Sequence, residues 1–416
     1  MANIEPQVFY EHLRSAAAGL MTNMLFQDSP GHMIWELDNL LRMRYLGEVD
    51  ARKTYYGVFR QGPLSLPWHI ANSFPELFNS NSINRLVVDD DLWTSVQQIY
   101  ALAPELGVDV GLSHFKTALP NAEERRLARL MPLPGNALRL TWVLPHHNYY
   151  GRTLEYFRRR AASLQFNPWS KVPPLSEELS GFVGNGKLAL IHIRSVLRGQ
   201  GSAGNAGTHT NSQVFGPTLA MLRDTGYTVV KVGYEPYPEE WKQFGVLNYT
   251  NSGLMNYSND LRLLGAAKLT MVNASGFENF SDLIGTPMVS YGRWSIGQLI
   301  PGKMTVHLPT LMRDKDTGKL LKFSEQIAHG FSKYEFWERG NCLNFPSDQF
   351  EVRPVHAEEL LASALEAIRL GEQWVPPSPL QHQFMELGRN SFARHIEGRV
   401  SQDFLERFSA ALPLGF

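Results

Sequence analysis

The sequence predicts an α/β fold of parallel sheets covered on both faces by helices. Three observations carry that expectation. Short apolar, β-branched segments alternate along the chain with segments of helical periodicity, the pattern of repeated βα units. The strand segments, such as KLALIHIR and LTMVNA, are nearly continuous in apolar residues, as strands buried on both faces require. Glycine-bearing turns, GQGSAGNAG and ASG, follow those two strands.

In the first half, MTNMLFQ reads as a strand. SPGHMIWELDNLLRMRYLG then reads as a turn and a helix, with Ile34, Leu37, Leu41 and Tyr45 recurring at helical spacing. RLVVDD with LWTSVQQIYALAPELG repeats the unit, and LRLTWVLPHHNYYGRTLEYFRRRAASL gives strand, polar turn and helix. The second half repeats the alternation more clearly. KLALIHIR, TVVKVG, LTMVNA and TPMVSYG are strands, and TLAMLRDTGY, NDLRLLGAAK and the segment after Ser275-Gly276 are helices. The simplest architecture is two tandem Rossmann-like domains. The stretch FNPWSKVPPLSEELSGFVGNGK, rich in Pro, Gly and Ser, separates them. The expected division is residues 1–181 and 182–372, with a tail, 373–416, that starts within EQWVPPSPL (Glu372 to Leu380) and folds back on the first domain.

The chain has 416 residues, 43% hydrophobic and 19% charged, an ordinary globular balance with length for two or three domains. A formal net charge of -1, without a long Lys/Arg run, gives no field for nucleic acid or an anionic membrane. The single cysteine, Cys342, excludes an intrachain disulfide and a cysteine-cluster metal site. The N-terminus does not read as a secretory signal, and no apolar run is long enough to span a bilayer. The expected location is the cytoplasm, with at most peripheral membrane contact.

Open parallel sheets bind ligands beyond the carboxyl ends of their strands, so the turns there are the candidate sites. At Ala274-Ser275-Gly276, glycine lets a ligand approach the backbone, and the positive end of the following helix attracts an anion such as phosphate. The alternative is that Ser275 simply caps its helix. Arg194, at or just past the end of KLALIHIR, can fork onto a phosphate. The loop behind it carries glycines at 199, 201, 204 and 207, which suits either a lid or a plain surface loop. It matches neither a Walker A loop nor a nicotinamide fingerprint. In the first half His32 opens a helix, where a neutral imidazole is favoured and can serve as a general base; capping or packing is its alternative. Glu36 and Asp38 follow it. His146-His147 is a further pair without a metal-ligand partner at helical spacing, and Trp294 is a candidate stacking residue.

Taken together, His192-x-Arg194 after a strand, GYTVVKVG, the helix led by Asp260 and NASGFENFSDLIGTPMV resemble glycosyltransferases of the GT-B fold. More narrowly they resemble a bacterial family linked to surface polysaccharide synthesis, in which a Gly-His pair also opens the first helix. The likeness covers most of the chain and is strongest from Leu188 to Tyr291. It implies a nucleotide-sugar donor in the second domain, an acceptor (glycan, lipid-linked or small molecule) in the first, and a cleft between them. Arg194 and the backbone around Ser275 and Gly276 would hold the donor's diphosphate, His192 and Lys231 would also contact the donor, Glu278 would reach ribose or sugar hydroxyls, and His32 would deprotonate the acceptor hydroxyl. The His-x-Arg motif is also similar to that of fucosyltransferases, where the arginine binds diphosphate. No cofactor is implied, and no metal: the acidic run Asp89-Asp90-Asp91 falls in the wrong half for a D-x-D site. Two residues depart from the pattern, Ser195 for an acidic residue and Lys231 for an arginine. The rivals are a non-hydrolysing nucleotide-sugar epimerase of similar fold and a non-catalytic binding protein.

Overall fold

The computed structural model describes residues 18–20, 30–48, 54–60, 74, 83–88, 149–193, 211–273, 275–293, 302–329, 348–387 and 397–409. The chain divides into two compact units, Met1–Lys171 and Val172–Phe416. The division precedes the 181/182 boundary read from the sequence because the proline-rich stretch packs onto the second unit. Val172 occupies the space beside Gly265, where an added Cβ would lie 2.6 Å from its Cγ1, and Arg262 donates to the Pro174 carbonyl.

The first unit contains β1 (Ala18–Leu20), α1 (Pro30–Tyr45), β2 (Thr54–Arg60), β3 (Ile83–Val88) and α2 (Tyr149–Ala162). Its described strands pair in parallel in the order β1-β2-β3, with Ala18 opposite Thr54 and Tyr55 opposite Ile83. The strands expected over Met21–Gln27 and in LRLTWVL lie outside the described residues. α1 starts at a proline, whose missing N–H costs nothing in a first turn. Ile34 and Leu41 are buried as the periodicity requires, whereas Tyr45 is 46% exposed at the helix end and stacks on Phe166 at 4.6 Å.

Between α1 and α2 lies a fully buried carboxylate. Asp38 forms an ion pair with Arg42 at 2.7 Å and accepts hydrogen bonds from the Tyr156 hydroxyl and the Trp169 indole, each at 2.8 Å. Arg42 continues to the Ser163 hydroxyl at 2.9 Å and carbonyl at 3.1 Å. Asp38, which follows the candidate base His32 in sequence, is therefore committed to holding the two helices together.

The second unit opens with α3 (Glu177–Val183), capped by the Ser176 hydroxyl, which accepts from Leu179 N–H at 3.3 Å. β4 (Lys187–His192), α4 (Gly216–Asp224), β5 (Tyr227–Val232), β6 (Leu247–Asn248), α5 (Tyr257–Ala266), β7 (Leu269–Asn273), α6 (Gly276–Ile284), β8 (Met288–Arg293) and β9 (Thr305–Pro309) follow. Next come the antiparallel pair β10 (Met312–Asp314) and β11 (Phe350–Val352) with α7 (Phe323–Ala328) between them, then α8 (Ala357–Glu372), α9 (Pro379–Leu387), β12 (Arg399–Val400) and α10 (Gln402–Ser409). Among the described residues the main sheet has seven strands, all parallel, in the order β12-β9-β8-β7-β4-β5-β6. Ala189, Ile191, Met271 and Val289 join one core with Leu219 of α4 and Leu360 and Ala364 of α8. The alternate residues Leu190, Val230 and Val272 are equally buried, so both faces are covered, as the continuous apolar runs demand.

The described part of the tail, expected to fold back on the first domain, belongs to the second unit. β12 adds to the sheet edge, with Arg399 opposite Val306 and Val400 opposite His307. Phe384 of α9 and Phe404 of α10 contact Phe323 with ring centroids 4.9 and 6.4 Å apart. An edge strand with a free ladder and an aromatic cluster together fix the tail there.

Asp38→Ala leaves Arg42 as a buried, uncompensated charge, a loss of about 3–5 kcal/mol. Urea denaturation followed by tryptophan fluorescence checks this; a midpoint shift of only a few tenths of a molar would contradict the network described.

Candidate ligand-binding site

From β4 the chain winds outward to β5 and β6, then returns to place β7, β8, β9 and β12 on the other side of β4. The winding reverses between β4 and β7, and the crevice beyond the carboxyl ends of strands at such a reversal is where open α/β sheets bind ligands. The last residues of these strands are His192 and Asn273, and they meet: His192 Nδ1 lies 3.1 Å from Asn273 Oδ1. Because an amide oxygen only accepts, Nδ1 carries the proton and donates.

The imidazole is held on its other sides too. It stacks on Phe277 of α6 with centroids 6.0 Å apart and an interplanar angle of 15°. Its Cδ2–Nε2 edge lies under Gly233, where an added Cβ would come within 2.6 Å of Cδ2 and 2.8 Å of Nε2. Gly233 has φ +84°, a conformation that itself favours glycine. Behind the ring, the fully buried Tyr291 hydroxyl donates to the His192 carbonyl at 2.5 Å. Burial, helped by the nearby Glu278 charge, holds that phenol far above its ordinary pKa, so it is a permanent donor.

On the β7 side, α6 begins at Gly276. The N–H groups of Gly276 and Phe277 have no intrahelical carbonyl to donate to, whereas that of Glu278 donates to the Ser275 carbonyl at 3.2 Å. Ser275 stands at the N-cap position in extended conformation (φ -153°, ψ 167°), yet its side chain makes no capping bond. Its hydroxyl oxygen is buried and has no hydrogen-bond partner. Simple capping, the alternative for this serine, is not what the side chain does.

His192, Ser275 and Gly276 thus gather at one place, and two other candidates do not join them. Lys231, taken from its charge as a phosphate contact, is fully buried. Its ammonium donates to the Gly233 carbonyl at 3.0 Å, the Glu235 carbonyl and the Thr250 hydroxyl at 3.0 Å. Three protons on three acceptors leave none for a ligand. Burial lowers its pKa to about 8, with the Glu235 carboxylate opposing the shift. Glu278, expected to reach sugar hydroxyls, is also fully buried and accepts from the Ser290 hydroxyl of β8. Its place in the first helical turn leaves it pointing at the sheet.

Arg194 lies outside the described residues, two positions past the end of β4, as do Ser195, the glycine-rich loop, Ala274, His146, His147, Cys342 and Trp294. His32 is the third residue of α1 in the first unit, and its side chain is outside the described set. Asn273, Phe277, Gly233 and Tyr291 were missed by sequence reasoning. Asn273 left a usable signal, a polar residue closing an apolar strand. Among the described residues there is no group of three or more His, Cys, Asp or Glu able to hold a metal ion, and no helix long and apolar enough to cross a membrane.

No protein-family model matches the chain, and no curated protein matches it. Among solved structures it is similar to E. coli heptosyltransferase WaaC with ADP, at 15% identity over 70% of this chain and 90% of that one, with a TM-score of 0.35. A glycosyl transferase of family 9 from Veillonella parvula gives 13% identity over 85% of this chain and 96% of that one, with a TM-score of 0.43. E. coli ADP-heptose LPS heptosyltransferase II gives 11% identity over 70% and 89%, with a TM-score of 0.39. At these scores the likeness carries no function by itself, and the residues of the site have to carry it.

Gly233→Ala and Gly245→Ala separate steric contact from backbone strain. Both glycines have positive φ, +84° and +72°, but nothing lies within 4 Å of a Cβ at Gly245. Each substitution carries a left-handed penalty of about 1 kcal/mol. Only Gly233→Ala also strikes His192, so its loss in urea denaturation is the larger; equal losses would remove the contact.

The Lys231 pKa gives a signed pH dependence. Between about 8 and its ordinary 10.5 the unfolded chain holds more protons at this residue than the folded one, so rising pH stabilises the fold. Wild type therefore gains on Lys231→Met from pH 8 to 10.5, by roughly 2–3 kcal/mol. Paired urea titrations at the two pH values read the difference; a constant gap would mean the ammonium is not desolvated.

Proposed function

We propose that the second unit binds the diphosphate of a nucleotide sugar in the β4–β7 crevice, and that the protein is a metal-independent glycosyltransferase. The observation that carries this is the meeting, at the point where strand order reverses, of the His192–Asn273 pair with the open amino end of α6, where the Ser275 hydroxyl is buried without a partner. An anion seated there takes the amide groups of Gly276 and Phe277 and the Ser275 hydroxyl. Arg194, close in sequence to the end of β4, adds a bidentate cation.

In the transfer, the acceptor hydroxyl attacks the anomeric carbon as the bond from that carbon to the diphosphate oxygen breaks. His32 takes the proton of the attacking hydroxyl. The charge growing on the departing diphosphate is met by donors already fixed in place, which is where such a site supplies its rate. Glu278 and Lys231 make no direct contact with the donor on this account. The donor sugar is a hexose or deoxyhexose. The acceptor is a glycan, a lipid-linked saccharide or a small molecule in cytoplasmic polysaccharide synthesis.

Thermal unfolding against a panel of nucleoside diphosphates and nucleotide sugars tests this. One base raises the midpoint, by the equivalent of about 2.7 kcal/mol at a hundred times its Kd. Ser275→Ala and Arg194→Ala diminish the shift, whereas His32→Ala keeps it and loses transfer. A folded protein whose midpoint moves with no member of the panel would overturn the proposal.

A further inference from the structure

We infer that Lys231 is a positioning residue for His192: by clamping the turn after β5 it fixes the surface against which the imidazole rests. The turn runs through Gly233, Tyr234 and Glu235. The Lys231 ammonium takes the carbonyls on both sides of Tyr234, those of Gly233 and Glu235. The third leg is Thr250, whose hydroxyl accepts from the ammonium at 3.0 Å and donates to the same Gly233 carbonyl at 2.7 Å. Gly233 is thus gripped twice at its carbonyl, from β5 and from the segment after β6.

Gly233 is also the residue that touches the imidazole, so closely that a Cβ there would overlap it. The ring is enclosed between three supports: the Asn273 amide on β7, the Phe277 ring on α6 and the Gly233 backbone. The first two come from the same side of the reversal as the helix amino end. The third comes from the opposite side, and Lys231 is what holds it. A buried ammonium is costly unless every proton is engaged; here two carbonyls and a hydroxyl engage all three. Stapling a turn explains a cation in the interior of an apolar strand, and a direct phosphate contact does not.

The inference rests on the diphosphate proposal only for its affinity arm; the placement of His192 is measured without any ligand. The decisive variant is Thr250→Val, which removes one leg of the clamp and keeps the charge. Thr286→Val is its control, since Thr286 also donates from a buried hydroxyl to a backbone carbonyl, that of Leu264 at 2.9 Å, away from the turn. Nitrogen NMR of the imidazole, assigned through His192→Gln, reports tautomer and pKa. In wild type and Thr286→Val, His192 shows one Nδ1-protonated form. In Thr250→Val and in Lys231→Met the signals shift or split and the pKa moves, and affinity for the diphosphate that stabilises wild type falls at least tenfold. If Lys231→Met does not fold, Thr250→Val decides alone. An unchanged His192 spectrum in Thr250→Val would overturn the inference. If wild type binds no diphosphate while the His192 spectrum shifts in the variants, the function proposal fails and the positioning role stands.

Discussion

The constraint on which the second unit depends is burial of a parallel sheet on both faces. A strand so placed has no solvent-facing side, so a polar side chain in its interior must find a partner within the fold or not be there. The exceptions obey this. Ser290 donates to Glu278, Thr270 donates to the Pro287 carbonyl at 3.4 Å, and Lys231 reaches past its strand's end to three acceptors. Polar groups able to meet a ligand are left only where strands stop. Because parallel strands all stop at the same edge, His192 and Asn273 become neighbours although 81 positions separate them.

The same constraint decides what was legible in the sequence. Continuous apolar runs bounded by glycine turns gave β4, β5, β7 and β8. β6 and β12 have two residues each, too few for any period, and their places are set by the sheet edges they complete. The fate of a charged side chain was not legible. Lys231 and Glu278 have the residue types a donor site uses, at the strand and helix ends where such a site lies. Which way each side chain turns depends on Thr250 and Ser290, partners that no local pattern announces.

Asp38 makes the same point in the first unit. A carboxylate near a candidate base suggests proton chemistry, yet it accepts from Arg42, Tyr156 and Trp169. Three donors from separate stretches of chain offset the desolvation of one buried charge. A group so fully engaged in the ground state has little left to offer a substrate. Its place in the fold is to fix α1 against α2 and the segment after it.

Ser275 is the opposite case. A serine at an N-cap ordinarily accepts from an amide of the first turn and so satisfies both itself and the helix. Here the position is kept and the bond is not made: the hydroxyl is buried and unpaired, beside amides that have no carbonyl to meet. An unmade hydrogen bond of this kind costs about 1–3 kcal/mol. Asn248, which ends β6, and Ser401, which follows β12, also carry a buried oxygen without a partner; Ser275 differs in standing at the amino end of α6 beside the reversal of strand order. An anion with several acceptor oxygens, set against the α6 amino end, would satisfy the hydroxyl and the amides together.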